Sequence, residues 1–236
     1  MHRRIRMIAL AAVVAAATAA GAVAQDKQAP KVQIPNPGVP QIMQMEGAYV
    51  RAAYNNEGYV ILGYRTSNES VGEPWLVLDV GMTLRAGQKA RKLQRGDVSM
   101  TTPDGKTVPL PSNQDFTKAN LAALERRASI TKDSINYFPP TASKPCRIGF
   151  FAEIAQRAMS WDEVELDSSR ACLGRLYFPV DGGIKYGQYW LNIQFGGSLI
   201  RVPFRILTKE EDKMLNKNYK SIEKQVKEAF APPKKK

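Results

Sequence analysis

The sequence predicts a mainly β protein: an antiparallel β-sandwich with one short inserted helix and a long amphipathic helix at the C-terminus. Three observations support this class. Short segments with period-two alternation recur along the chain, about seven to nine in all. Gly, Pro, Asn and Asp turn signals separate them at short intervals. No strand segment alternates with a helical one in the βαβ manner, so a parallel α/β sheet is not expected.

The chain opens with "MHRRIRMIALAAVVAAATAAGAVAQ". Arg3, Arg4 and Arg6 form a basic start, an Ala-rich apolar run follows from Met7, and Ala22–Val23–Ala24 places small residues before Gln25. This is the pattern of a secretory signal peptide over residues 1–24. The apolar run is near the short end for a bilayer span, and no Cys stands at the cleavage position for a lipid anchor. The expectation is export to the periplasm or beyond, not as a lipoprotein. Residues 25–45 begin "QDKQAPKVQIPNPGVPQ", rich in proline and without a period, and read as a linker.

The sandwich is expected over residues 46–207. In "EGAYVRAAYNNEGYVILGYRTS", Val50, Ala52 and Tyr54 alternate with Tyr49, Arg51 and Ala53, and Asn55–Gly58 turns the chain into a return strand. "EPWLVLDVGMTLR" puts Leu76, Leu78, Val80, Met82 and Leu84 on one face, which requires a second layer against it. "DVSMTT" and "KTVPLP" flank Pro103-Asp104-Gly105 as a hairpin. "SNQDFTKANLAALERRAS" breaks the β pattern and predicts a helix near 113–128, with Ser112 or Asp115 near its start.

A second β block follows: "CRIGFFAEI", "WDEVEL", "LGRLYFPV", "QYWLNIQF" and "SLIRVPFRIL". Gly196-Gly197 predicts a two-residue hairpin with positive φ at both turn positions. Residues 208–236 read as a helix with a basic tail. Thr208 and Glu211 have capping-box spacing. Acidic residues crowd the first turn and lysines the later ones, as the helix dipole favours.

Composition excludes several chemistries. The one His, His2, falls in the leader. That removes Ser-His-Asp and Cys-His pairs and any zinc site built on imidazole. Phosphate-cradling and calcium-loop motifs are absent too. No cofactor or metal is expected. The formal charge is +12, or about +9 without the three leader arginines. For an exported chain the partners this suggests are a protein, or an anionic lipid or glycan, rather than nucleic acid. Cys146 and Cys172 are the two cysteines. A catalytic pair, a redox switch and a structural bridge are all conceivable. Export and the lack of CxxC spacing favour the bridge, worth roughly 3.5 kcal/mol in the chain-entropy view.

The strands of "YVILGYRTSNESVGEPWLVLDVGMTL", the hairpin around "TPDGKTVPL" and the later "GRLYFPVDGGIKYGQYWLNIQF" are similar to those of bacterial exported immunoglobulin-like (telokin-like) domains. These carry a D-G-K hairpin and then a G-x-x-x-F-x-V strand, matched here by Gly174, Phe178 and Val180. The resemblance spans about residues 46–206, and the central helix departs from it. It implies an immunoglobulin-like sandwich and an adhesive or accessory envelope role, with no catalytic residues to carry over.

Four candidate sites follow. Asp162, Glu163 and Glu165 beside Trp161 could serve glycoside hydrolysis. Against this, Asp162 and Glu163 would point to opposite faces of a strand. Trp75, Trp190 and Tyr189, with Trp161, could form an aromatic binding surface, or else lie under the helix as a hydrophobic layer. Lys234, Lys235 and Lys236 could contact an anionic surface. Leu215, Tyr219, Ile222, Val226 and Phe230 form a narrow stripe that packs either on the sandwich or on a partner. Its narrowness and the lysine-rich opposite face favour a partner. The reading is an exported, non-catalytic interaction protein of the bacterial envelope. The alternative is a carbohydrate-binding module or glycan-active enzyme using the Trp and Asp/Glu residues.

Overall fold

The structure, a computed structural model, describes residues 41–154 and 159–230. The expected signal peptide, most of the expected linker and Lys234–Lys236 lie outside the described residues. Strands β1 (Ile42–Gly47), β2 (Val50–Tyr54) and β3 (Gly58–Gly63) lead into the one-turn helix α1 (Arg65–Asn68). Then come β4 (Trp75–Leu84), β5 (Arg91–Gln94), β6 (Val98–Thr101) and β7 (Thr107–Pro109). Helices α2 (Asn113–Lys118) and α3 (Ala122–Ile130) form the insertion. Strands β8 (Lys144–Ile148), β9 (Glu163–Leu166), β10 (Arg170–Pro179), β11 (Gly187–Phe195) and β12 (Ser198–Ile206) precede α4 (Lys209–Ala229).

The fold is mainly β, with antiparallel pairing throughout except for one pair. A six-stranded sheet runs β1-β2-β3-β4-β10-β8, a four-stranded sheet runs β12-β11-β6-β7, and β5 and β9 form a separate ribbon. The exception is β8, which pairs in parallel with β10. The crossover between them spans residues 149–169, long enough to bring the chain back to the same end.

The core is the one the alternation predicts. Leu76, Leu78, Val80, Met82 and Leu84 of β4 pack with Leu191, Ile193 and Phe195 of β11 and Ile200, Val202 and Phe204 of β12, all buried. The other face of β4 is buried too, which alternation alone does not reveal. The segment after α3 runs over it. A Cβ on Gly81 would fall 2.7 Å from the Phe138 ring, and one on Gly63 would fall 2.8 Å from Asp133 Cβ. Glycine at these two positions lets that segment lie directly on the sheet, with Ile135 packing beside Val50, Ala52 and Ile61.

Local departures have local causes. The expected single helix is two, broken where Asn120 takes φ 51°, a left-handed conformation that Asn tolerates. Ser112 caps the first by accepting from the Asp115 N–H. At the last hairpin only Gly196 has positive φ, at 50°, as in a type II′ turn rather than the expected I′. The end of the supposed linker is β1. Its Met43 and Met45 are buried, too short an alternation to read beside so many prolines.

Strand β1 explains α4. The six-stranded sheet is wider than the four-stranded one, and the helix covers the surplus. Leu215, Ile222 and Val226 are buried against Met43 and Met45, with Tyr219 and Phe230 packed at the margin. The Tyr219 hydroxyl donates to the Met45 carbonyl at 3.4 Å. The Tyr49 hydroxyl bonds to Asp212. Thr208 and Glu211 make the full capping box. The expectation that this stripe docks on a partner is therefore corrected: its face is occupied by the chain's own first strand.

The outer edge of β12 is guarded. The Gln41 side chain accepts from the Arg201 N–H at 3.1 Å and donates to the Arg201 carbonyl at 2.7 Å, as a neighbouring strand would. Pro203 removes one donor from the same strand, and Asn68 Oδ1 accepts from the Leu207 N–H at 2.7 Å. These are the devices by which native sheets blunt an edge.

Candidate interaction site

Cys146 and Cys172 are joined in a disulfide. They are register partners on β8 and β10. The bridge therefore fastens the one parallel strand to the sheet it borders. Among the described residues no group of three or more His, Cys, Asp or Glu is placed to hold a metal ion, and no helix is long and apolar enough to cross a membrane.

The aromatic candidates do not form one surface. Tyr189 is fully buried and stacks on Phe204, with its hydroxyl donating to the Lys185 carbonyl and accepting from the Lys185 N–H. That corrects its place as a surface residue: the face it shares with Leu191 points into the sandwich. Trp190 lies on the outer face of the four-stranded sheet with the Arg201 guanidinium 4.9 Å from its ring, so one side of the indole is already covered. Trp75 is half-buried against the core at the start of β4. Trp161 remains, at 49% exposure.

The three carboxylates beside it are each engaged. Asp162 pairs with Arg95 at 3.1 Å, Glu163 with Lys92 at 2.6 Å and Glu165 with Arg170 at 3.2 Å. They lie along the β5–β9 ribbon and its approach, held by cations. Each carboxylate of this cluster therefore has a cationic partner along the ribbon.

Trp161 closes a loop that the sequence reads wrongly. "CRIGFFAEI" was expected to be a strand throughout, but β8 ends at Ile148. From Gly149 the chain leaves the sheet, and it returns where the Trp161 N–H donates to the Gly149 carbonyl at 2.7 Å. The Trp161 ring sits where a Gly149 side chain would be, 2.6 Å from an ideal Cβ.

The loop is fastened from beneath by four separate contacts. Phe151 is buried 4.8 Å from the Phe116 ring of α2 and 5.4 Å from Tyr177 of β10. Its neighbour Ala152 donates its N–H to Asn113 Oδ1 at 2.8 Å. Glu153 receives Arg175 Nη1 at 2.8 Å. Arg95 ties the two ends together, donating to the Phe150 carbonyl at 2.6 Å and to Asp162 at 3.1 Å.

Arg175 is the hub under this region. It reaches Asp79 at 3.2 Å, Glu153, and the Ala128 carbonyl of α3 at 3.0 Å. Burial raises the Asp79 pKa to about 6 despite this partner, and burial likewise raises that of Glu153. Burial opposes the charge of Arg175, but Glu153, then Tyr177 and Asp79, hold its pKa above the usual value.

Above these anchors the loop presents apolar side chains outward. Ile154 is 68% exposed and Met159 74%. Ile130, at the end of α3, is 80% exposed. Ile130 and Ile154 each follow a residue that touches Arg175, Ser129 and Glu153 respectively. Arg147 lies 5.8 Å from the Trp161 ring centre. Of these residues, Trp161 alone stands out as a surface candidate in the sequence. Ile130 and Ile154 look like core positions of a helix and a strand until α3 is seen to end at Ile130 itself and β8 to stop short of Ile154.

No protein-family model, no curated protein and no solved structure matches this chain.

Proposed function

We propose that this is an exported, non-catalytic protein of the bacterial envelope that binds another protein through the Gly149–Trp161 loop and the end of α3. The observation that carries the reading is the pinned exposure of Ile130, Ile154, Met159 and Trp161. Single exposed apolar residues are ordinary on a protein surface. Several on adjoining segments, rimmed by arginine, mark a contact site. Trp and Met are favoured at interface centres. Arg95, Phe151 and Glu153 fix the two ends of the loop in place before binding.

Export rests on the leader pattern and fits a disulfide in an oxidising compartment. Within the mainly β fold, the telokin-like pattern of the strands supports an accessory or adhesive role. Ion pairing of Asp162, Glu163 and Glu165 supports a role without hydrolysis.

The test is photo-crosslinking in the producing cell. A photoreactive residue at 154 or 161 should give a discrete adduct with one envelope protein, and one at Lys217, on the solvent side of α4, should give none. The adduct from position 154 should disappear in Trp161→Ser. No adduct from either patch position, or equal adducts from all three, would sink the reading.

A further inference from the structure

The charges around the apolar contact site are sorted by sign. The site belongs to the outer face of the six-stranded sheet and its covering layer. Arg175 and Arg147 both lie on that face. Arg147 is the register partner of Leu173 across β8 and β10, and side chains two residues apart on one strand point the same way. Ser129 and Glu153 meet at Arg175 Nη1, at 3.4 and 2.8 Å.

The carboxylates of this region are turned inward. Asp79 and Glu153 are buried on Arg175. Asp133 is buried on Arg65, accepting from its Nε at 3.1 Å and from its backbone N–H at 2.9 Å. Glu125 is buried on the inner side of α3. The cations behave in the opposite way. Arg126 and Lys132 are exposed, and Arg147 is half-buried beside the Trp161 ring. None of these three has an ion pair among the described residues. Arg126 stands four residues before Ile130, on the same side of α3, and Lys132 stands two after it. The apolar side chains are therefore flanked by positive charge from two elements, α3 and β8.

We infer that the partner docks an acidic segment here, with apolar side chains against Ile130, Ile154 and Trp161 and carboxylates opposite Arg126, Lys132 and Arg147. This rests on the reading of the patch as a protein contact and adds the partner's chemistry to it. Opposite potentials across an interface steer the encounter and fix its register. Cations beside exposed apolar residues also suit an anionic bilayer, and Asp162 favours a protein instead. It follows Trp161 directly, and its side chain is 90% exposed although Arg95 reaches it. Glu163 and Glu165 come next along β9, both exposed. A bilayer surface of uniform negative charge would press on these carboxylates. A protein segment can place its own carboxylates only where cations face them.

The test maps the adduct formed in the producing cell by the full exported chain with a photoreactive residue at position 154. Mass spectrometry of the crosslinked peptide should find a protein segment in which Asp and Glu outnumber Lys and Arg and flank apolar residues. Arg126→Glu combined with Arg147→Glu should cut the adduct about tenfold or more, because like charges then face each other. Arg126→Glu alone, on the solvent side of α3, should cut it about two- to fivefold, and it decides the matter if the double variant melts below the wild type. Lys217→Glu makes the same reversal on the exposed side of α4 and should change nothing. A neutral or basic segment, an adduct that persists in the double variant, or an equal loss in Lys217→Glu overturns the inference and leaves the protein contact standing. An adduct of phospholipid mass overturns it in favour of a bilayer. No adduct from position 154 or 161 sinks the protein contact and the inference together.

Discussion

Asp79 and Arg175 sit directly opposite each other on β4 and β10, facing α3 rather than the sandwich core. A buried ion pair is sensitive to loss of either member, because the survivor keeps its desolvation penalty. Arg175→Met should therefore destabilise by about 3–5 kcal/mol, read by chemical denaturation. The Asp79 carboxyl offers a finer check. Burial raises its pKa from 3.8 to about 6. The folded state then holds this proton more tightly than the unfolded state does. Its contribution to stability is fully present below about pH 4 and is lost as pH rises through about 6. Asp79→Asn cannot titrate. Between pH 4 and 7 the stability gap should move in the variant's favour by at most about 3 kcal/mol. A gap that stays constant over that range would show that Asp79 ionises as it does in the unfolded chain. Nothing in "LVLDVGMTL" distinguishes Asp79 from a solvent-facing residue. Its partners come from residues dozens of positions away, and only the tertiary structure brings them together.

At the level of elements, the sequence was most readable where one face met the core and the other met solvent. Strands β11 and β12 alternate from Tyr189 to Phe195 and from Ile200 to Ile206, apart from buried Asn192 and Pro203, and α4 carries its cap and stripe openly. Legibility failed for β1, hidden among prolines, and for β5, whose four residues hold one buried side chain, Leu93. It failed also for the loop after β8, where Phe150 and Phe151 are buried without being in a strand. The same failures shaped the candidate site, since Ile130 and Ile154 lie at or beyond the ends of elements whose extents differ from the expected ones. The docking of α4 on β1 makes a prediction opposite to the one its narrow stripe suggested. Ile222→Ala should cost about 2–4 kcal/mol and lower the melting temperature of the monomer by roughly 5–15 °C. An unchanged melt would mean the helix is not held by β1 in solution. The bridge between β8 and β10 should act on a similar scale. The double variant Cys146→Ser, Cys172→Ser should lose about 3.5 kcal/mol in thermal or denaturant unfolding. Equal stability with and without the bridge would show that pairing alone secures β8.

The molecule as a whole is a sandwich with an added layer. Helices α2 and α3 and the segment after them cover the outer face of the larger sheet, while α4 widens the inner side beneath β1. Strands and layers could be inferred from alternation, but which sheet was wider could not, because width depends on strand order. That order also places β12 at a margin, where a strand carrying Ile200, Val202, Phe204 and Ile206 would otherwise offer open backbone. Gln41 imitates a neighbouring strand with a single amide. The consequence concerns the protein's behaviour in a crowded compartment. A chain trimmed beyond residue 41, or carrying Gln41→Ala, should keep its core yet expose a template on which a second copy can add. Such a form should turn turbid on mild heating and bind an amyloid-sensitive dye, while the intact chain stays clear. Filaments growing no faster than from wild type would show that Pro203 and the flanking arginines suffice. On this view, where a protease stops in the proline-rich stretch decides whether the molecule stays solitary or begins to polymerise.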